Sequence, residues 1–346
     1  MDLTPPNQQG ILAGPPTPEA VTWAYKLLLG RAPENIDVVQ AHARAHPDVA
    51  AMVRSFLESR EFHEASTRPP QRGPQPKPLP EAQPQPPAAD HTAPIRVGLD
   101  VPSSQLDAMM RLLEGNWEML GRAEPHWSVL VADEFKSGSI AGSVAQFYES
   151  GRWSVDLMNL AAARCGADLS GLRTCFELGC GVGRVTWWLA RQFPSVTAAD
   201  ISGPHLDLAR QALAERGVTN AVLKKIGSVQ DLASLPGFDC FYSLIVLQHN
   251  PPPVIHGMLD IILGKLNPGG LAFFQVPTYC QGYVFDAAEY LSNTQVRGEM
   301  EVHVLPQVPL FGLLRKHGCS LLEIREDGCV GHPWFISNSL LVRKAR

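Results

Sequence analysis

The chain's 346 residues exceed what one ordinary core needs, so two domains are expected. Its 45% hydrophobic content is ample for a buried core, while a net charge of −5 supplies no electrostatic reason for a nucleic-acid partner. No apolar run approaches the ~18–20 residues of a membrane span, the start MDLTPPNQQG lacks a signal-peptide pattern, and seven scattered cysteines without CxxC argue against a disulfide or zinc framework, which together predict a cytoplasmic protein.

Residues 1–66 read as a small all-α domain. Thr17-Pro18-Glu19 has the N-cap, first-turn proline and early acid of a helix start. Val21, Ala24, Tyr25 and Leu28 then follow helical spacing, and Gly30 would end the helix. Pro33-Glu34 and Pro47-Asp48 predict two more helix starts. The string AYKLLLGRAPENIDVVQ…FLESREFHE over 24–64 resembles a bacterial helical module of unknown function with the pattern YxxLLGRxP…FLxSxEF. That module often accompanies glycosyltransferases, methyltransferases and secreted repeat proteins, and the resemblance implies protein docking or targeting through residues 1–66. A plain helical hairpin accounts for the same residues. Residues 67–94 follow as a linker: ten of the thirty prolines lie in 69–94 with almost no large apolar residue, which predicts a disordered, partly polyproline-II spacer.

The second domain is expected over 95–346. Leu106, Met109, Met110, Leu113, Trp117 and Leu120 form a helical stripe, the mark of a packing face, within a helical cap over 95–165. In the core, 166–346, apolar β-rich runs at 173–179, 195–201, 221–226, 239–247, 270–277, 320–326 and 335–343 alternate with helical segments at about 184–193, 203–216, 252–266 and 306–317. Alternation of this kind predicts an α/β fold, a Rossmann-like sheet of seven strands with helices on both faces. The last two runs are joined only by DGCVGHPW, so the last strand should be antiparallel.

The strongest local signal is CFELGCGVGRVT, 175–186, where a strand feeds Gly179-Cys180-Gly181-Val182-Gly183 and a helix. Glycines there allow a tight turn and close approach of backbone to a ligand. Three details depart from a dinucleotide site: Arg184 stands where GxGxxG needs glycine, Glu177 would repel a pyrophosphate but attract a cation, and Asp200 ends the next strand, where a carboxylate accepts both ribose hydroxyls.

With FDCFYSLIVLQH (238–249) and LNPGGLAFFQVP (266–277), these motifs resemble the class I S-adenosylmethionine-dependent methyltransferase family over about 147–346. The resemblance implies S-adenosylmethionine as cofactor, with Gly179, Cys180, Gly181 and Gly183 along its methionine part and Glu177 on its amino group. Asp200 would take the ribose hydroxyls, and Ile201, Val229 and Leu247 would pack on the adenine side. Where many relatives carry an acid for the adenine amine, this chain has IGSVQDL, leaving Ser228, Gln230 or Asp231 for that contact. LNPGG would be the turn before the fifth strand. FYESGR (147–152) resembles a segment that closes over the cofactor, so Tyr148 and Arg152 are expected at the methionine carboxylate or, equally, as anchors of a helix start.

Methyl transfer needs in-line placement of a nucleophile, plus a base when the acceptor is a hydroxyl or a protonated amine. His249, at the carboxyl edge after the fourth strand, is the first candidate base, with a helix-capping role as the alternative. His303 in EVHVLPQ is the second, and His332 reads as a turn residue. No metal-ligand pattern is evident. The insertion 278–310, with Tyr279, Tyr283, Phe285 and Tyr290, offers an aromatic-sided pocket for a flat small molecule or a sugar, although aromatics at such spacing are more often core. Asn250-Pro251-Pro252-Pro253 only superficially matches the motif of nucleic-acid amino-methylating enzymes, because Pro253-Val254 offers no aromatic ring for a flipped base. Methylation of an O or N atom of a small-molecule or glycan acceptor is therefore expected. A catalytically silent scaffold acting through residues 1–66 and a NAD-linked oxidoreductase are the alternatives.

Overall fold

A computed structural model describes residues 15–29, 31, 33–67, 92–292, 295–296 and 298–346. The expected helix stop at Gly30 and residues 68–91 of the expected linker lie outside the described residues. The chain divides into two compact units, 1–85 and 86–346.

The first unit holds α1 (Pro18–Leu28), α2 (Ile36–Ala45), α3 (Val49–Glu58) and α4 (Arg60–Thr67). Each of the first three has a side-chain cap: Ala20 N–H donates to Thr17 Oγ1, Val38 N–H to Asn35 Oδ1 and Ala51 N–H to Asp48 Oδ1. The second helix thus starts after Asn35 and not at Pro33-Glu34, because Asn35 supplies the acceptor. Val21, Ala24 and Tyr25 pack on Val39, Met52 and Phe56, with Leu28 half-buried beside them. Residues of the YxxLLGRxP…FLxSxEF pattern touch one another. The Tyr25 ring meets Phe56 edge-on at 5.0 Å, Arg31 pairs with Glu61 at 2.5 Å, and Ser59 Oγ accepts the Phe62 N–H. The pattern therefore encodes tertiary contacts of this unit.

In the second unit, seven strands run in the order β3-β2-β1-β4-β5-β7-β6, where β1 is Thr174–Leu178, β2 Ser195–Asp200, β3 Ala221–Lys225, β4 Phe238–Ser243, β5 Leu266–Cys280, β6 Cys319–Asp327 and β7 Phe335–Lys344. All pairings are parallel except those of β7, which runs antiparallel to both β5 and β6. Side chains alternate between faces along each strand. Phe176, Phe241 and Phe274 pack beneath α5 (Ser103–Ala123), α10 (Pro252–Lys265) and α12 (Gln307–Lys316). Cys175, Cys240 and Tyr242 face α7 (Gly151–Arg164) and α8 (Thr186–Gln192); α6 (Val144–Glu149) precedes α7, α9 (Gly203–Glu215) follows β2, and α11 (Ala287–Ser292) lies in the insertion.

Two strand boundaries depart from expectation. LNPGG is not a turn ahead of β5 but its bulged start, with Phe238 opposite Leu266 and pairing resuming at Cys240–Leu271. Gly269 at φ 79° and Gly270, where a Cβ would lie 2.7 Å from the Asp239 carbonyl, permit the bulge. At the other end β4 stops at Ser243, because Ile245 takes φ 58°, a left-handed conformation costly for a β-branched residue. A further parallel pair, Arg96–Val97 with Val284–Phe285, ties the insertion to the start of this unit. Among the described residues no helix is long and apolar enough to cross a membrane.

Candidate active site

The strand order reverses between β1 and β4, and open α/β sheets bind ligands at the carboxyl ends beside such a point. A cavity of about 480 Å³ opens there, lined by Glu177–Gly181 at and beyond the end of β1, Asp200 and Ile201 at and beyond the end of β2, Ile226 after β3 and Leu244–Val246 after β4. Met110 and Trp117 of α5 also line it, with Val129–Val131, Met300 and Val302, so the α5 stripe both packs and forms cavity wall.

Gly179 and Gly181 sit at φ 77° and 51°, and a Cβ on either would strike Val246 or Val129 respectively. Their backbone is held to the neighbouring strand by Gly179 N–H and Cys180 N–H donating to the Ala199 carbonyl. Asp200 accepts two backbone N–H groups, from Gly181 at 2.8 Å and Ser202 at 2.9 Å, which fixes its carboxylate at the cavity wall. Glu177 is 2% exposed and takes a 2.6 Å hydrogen bond from Thr186 Oγ1. Burial pushes its pKa up to about 7, countered in part by that bond and by Arg184. Burial likewise raises the Cys180 thiol well above its usual range.

Several expected residues stand away from this cavity. Gly183, at φ 82°, lies against Ala209 and Leu213 and allows α9 to approach the loop. Ser228 caps the Val229–Ser234 turn in a capping box with Asp231, and Val229 and Leu247 are core residues; Ile226 occupies the wall there. Tyr148 is buried, its hydroxyl donating to the Val182 carbonyl at 3.2 Å and its ring stacked by Arg216 at 3.7 Å. Arg152 lies on the outer side of α7, within 3.7 Å of Asp156.

Arg184 lines the cavity instead, a residue the sequence reading noted only as a break in a glycine pattern. Its guanidinium donates to Ser150 Oγ at 3.1 Å and Ser154 Oγ at 3.2 Å, while its buried Nε has no hydrogen-bond partner. It is 8% exposed, and burial lowers its pKa from the usual guanidinium value. A desolvated cation with unspent donors favours an anionic ligand group. Other wall residues that sequence reasoning did not single out are His205, whose Nε2 meets Ser128 Oγ at 2.9 Å, and Cys329 and Val330 of the β6–β7 loop. His332 in that loop serves its own turn, accepting the Trp334 N–H.

Of the two candidate bases, only His249 reaches the cavity. Its Nδ1 lies 2.8 Å from the Glu301 carbonyl and must donate to it, and burial lowers its pKa, which favours the neutral ring. Trp117 meets it edge-on at 5.5 Å. His303 is enclosed by Tyr283, Phe285 and Tyr290, with Nδ1 on the Tyr283 hydroxyl at 2.7 Å and Nε2 on Glu301 Oε2 at 3.1 Å. The insertion's aromatics therefore pack around His303, and Tyr279 donates to the Ala93 carbonyl; the insertion lines the cavity through Met300 and Val302. Asn250 donates to the Val246 carbonyl, and Pro252 opens α10.

The sheet order and this cavity define a methyltransferase-type domain of class I. Residues 176–270 match the family described as methyltransferase domain. A ubiquinone biosynthesis O-methyltransferase of Xanthomonas euvesicatoria pv. vesicatoria is 29% identical over 173 residues, covering 48% of this chain and 70% of that protein. One of the same description from Xylella fastidiosa is 36% identical over 107 residues, 30% of this chain and 42% of that protein. A crystal structure of magnesium protoporphyrin IX methyltransferase from Synechocystis, with bound S-adenosylmethionine, aligns over 68% of this chain and 97% of that one at 17% identity and a TM-score of 0.47. Residues 176–270 carry a methyltransferase domain, and the chain is an S-adenosylmethionine-dependent methyltransferase; the NAD-linked alternative is set aside.

Proposed function

We propose that this enzyme methylates a hydroxyl of a flat, largely apolar small molecule, with His249 as general base. One observation carries the reading: the His249 imidazole shares a single cavity with Glu177, Arg184 and Asp200. Beside His249 the wall is largely apolar, formed by Trp117 and by Met300 and Val302, which flank the residue whose carbonyl holds the imidazole; the amides of Gln248 and Asn250, which also line it, are bonded within the protein. Such a wall rewards burial of a ring and offers a sugar little hydrogen bonding. The relatives described as ubiquinone biosynthesis O-methyltransferases support an oxygen acceptor of this kind.

The donor set suits S-adenosylmethionine, with opposite charges for its amino-acid tail and a carboxylate for its ribose. Glu177 would take the amino group, Arg184 the carboxylate in place of Tyr148 and Arg152, and Asp200 the ribose hydroxyls, beside Gly179, Cys180, Gly181 and Ile201. When bound, the cofactor supplies an electrophilic methyl group on sulfur. His249 would accept the acceptor's hydroxyl proton at Nε2, the nitrogen not committed to Glu301, with the acceptor hydroxyl displacing the Gln248 amide that meets it at 3.2 Å. Trp117, Met300 and Val302 would hold the ring and exclude water, and fixed placement of the reactants supplies part of the rate gain.

The test is calorimetric titration with S-adenosylmethionine and S-adenosylhomocysteine, followed by methyl transfer to matched phenols, amines and sugars. Turnover confined to phenols and lost by at least 100-fold in His249→Ala supports the reading. Turnover on sugars or amines alone overturns the acceptor class, and an active His249→Ala overturns the base.

A further inference from the structure

A chain of buried amides runs from the backbone into His249. Ile245 N–H donates to Gln275 Oε1 at 3.1 Å, so the Gln275 amide can face only one way. Its NH2 then donates to Gln248 Oε1 at 3.0 Å and to Ser337 Oγ at 2.6 Å. The Gln248 carbonyl is thereby used, and its NH2 is left facing His249 Nε2 at 3.2 Å. On the far side of the ring, Nδ1 meets the Glu301 carbonyl at 2.8 Å, a group that can only accept. Gln275 is fully buried, so water does not offer its amide an alternative partner, and Gln248 is only 3% exposed.

We infer that Gln275 and Gln248 are positioning residues that hold His249 in one neutral form, with the proton on Nδ1 and the lone pair on Nε2. The inference deepens the proposed base role and rests on it for its catalytic meaning, although the geometry itself does not. The polarity of the relay is set at one end by a backbone N–H and at the other by a backbone carbonyl. A proton arriving at Nε2 meets the Gln248 NH2 head-on. Gln248 relieves that clash by turning over, but its NH2 then faces the Gln275 NH2, which Ile245 prevents from turning. The imidazolium is disfavoured at rest, and a proton taken up during turnover is readily given up again.

The groups facing His249 are few and named. The insertion brings the His303 ring and the Glu301 carboxylate, which bond each other; α5 brings Trp117, whose ring centroid also lies 6.3 Å from that of the α9 residue His205; Glu177 and Asp200 line the same cavity. None of these lies between Gln248 and Nε2, so the relay can be altered without touching them.

The test reads tautomer and proton affinity directly, by long-range ¹H–¹⁵N correlation on ¹⁵N-histidine protein across pH, with His249→Gln for assignment. The wild-type enzyme should show His249 as the Nδ1–H tautomer. In Gln275→Glu, a carboxylate accepts from both Ile245 and a turned Gln248, which then offers its carbonyl to Nε2–H. The His249 proton affinity should rise at least tenfold, although Gln275 does not touch the ring. Gln275→Met should give a smaller rise, separating the turn of Gln248 from the added charge. An Nε2–H tautomer in the wild type overturns the inference without any variant, and so does an unchanged proton affinity in both folded Gln275→Glu and folded Gln275→Met. If the tautomer and shifts are as expected but His249→Ala remains active, the relay stands and the base reading fails.

Discussion

Asp200 Oδ2 accepts the Gly181 N–H at 2.8 Å, so the acid that ends β2 is gripped by the loop that follows β1. With the Ser202 N–H on Oδ1, the carboxylate is oriented before any ligand arrives. Asp200→Asn keeps the shape but sets an NH2 against one of these donors. S-adenosylhomocysteine affinity should fall roughly 10–100-fold, about 1.4–2.7 kcal/mol. Calorimetry checks this, and an unchanged affinity would remove Asp200 from the site.

Glu177 makes the protein's stability pH-dependent in a defined direction. Burial raises its pKa from 4.5 to about 7 in the folded chain. The unfolded chain therefore releases this proton at lower pH than the folded one. The contribution is fully present below about pH 4.5 and is lost as pH rises through 7, with a size on the order of 3 kcal/mol. Glu177→Gln should flatten this slope and raise the melting temperature at pH 8. If Glu177 meets a cationic amine, ligand binding near pH 6.5 should also release protons, visible as a buffer-dependent binding enthalpy. A pH-independent difference between the two proteins would show that Glu177 titrates normally.

Arg184 should discriminate between ligands with and without an amino-acid tail. Its Nε has no protein partner, and Ser150 and Ser154 hold its two terminal nitrogens. Arg184→Gln is expected to weaken S-adenosylhomocysteine about 10–100-fold, while methylthioadenosine, which lacks the carboxylate, should bind as to the wild type. Equal losses for both ligands would mean that Arg184 only braces the glycine loop.

The contrast between Glu177 and Arg184 shows what was legible in the sequence. Glu177, Gly179, Gly181 and Asp200 are placed by local rules, a strand, a turn that needs positive φ and a second strand end, and their spacing carries the cavity with it. Alternating apolar runs likewise carried the seven strands and the antiparallel last one. Arg184 was not legible as a wall residue, because its burial depends on Ser150, Gly151 and Ser154 of another segment, where a Cβ on Gly151 would strike the Arg184 backbone. The only local hint was an arginine in an otherwise apolar helix start. Arg152 misled for the converse reason: neighbouring residues of a helix point in different directions, and the turn that buries Tyr148 leaves Arg152 outside. The insertion's aromatics were visible as a cluster, but only the fold shows that they enclose His303 and leave the wall to Met300 and Val302.

Trp117 offers the sharpest division between the two ends of the cavity. Its ring centroid lies 5.5 Å from that of His249 and 6.3 Å from that of His205, next to the turn that carries Asp200. If it belongs to the acceptor wall, Trp117→Leu removes ring-stacking area while leaving Asp200, Glu177 and the Glu301–His249 bond in place. The acceptor KM should then rise about tenfold, roughly 1.4 kcal/mol, the scale expected for a lost aromatic contact. The S-adenosylhomocysteine Kd should stay within about twofold, and kcat should change less than KM because the base keeps its anchor. The opposite pattern, a weakened cofactor with an unchanged acceptor KM, would assign Trp117 to the cofactor and leave Met300 and Val302 as the acceptor wall. Steady-state kinetics with both substrates varied, beside calorimetry on the same preparations, separates these outcomes.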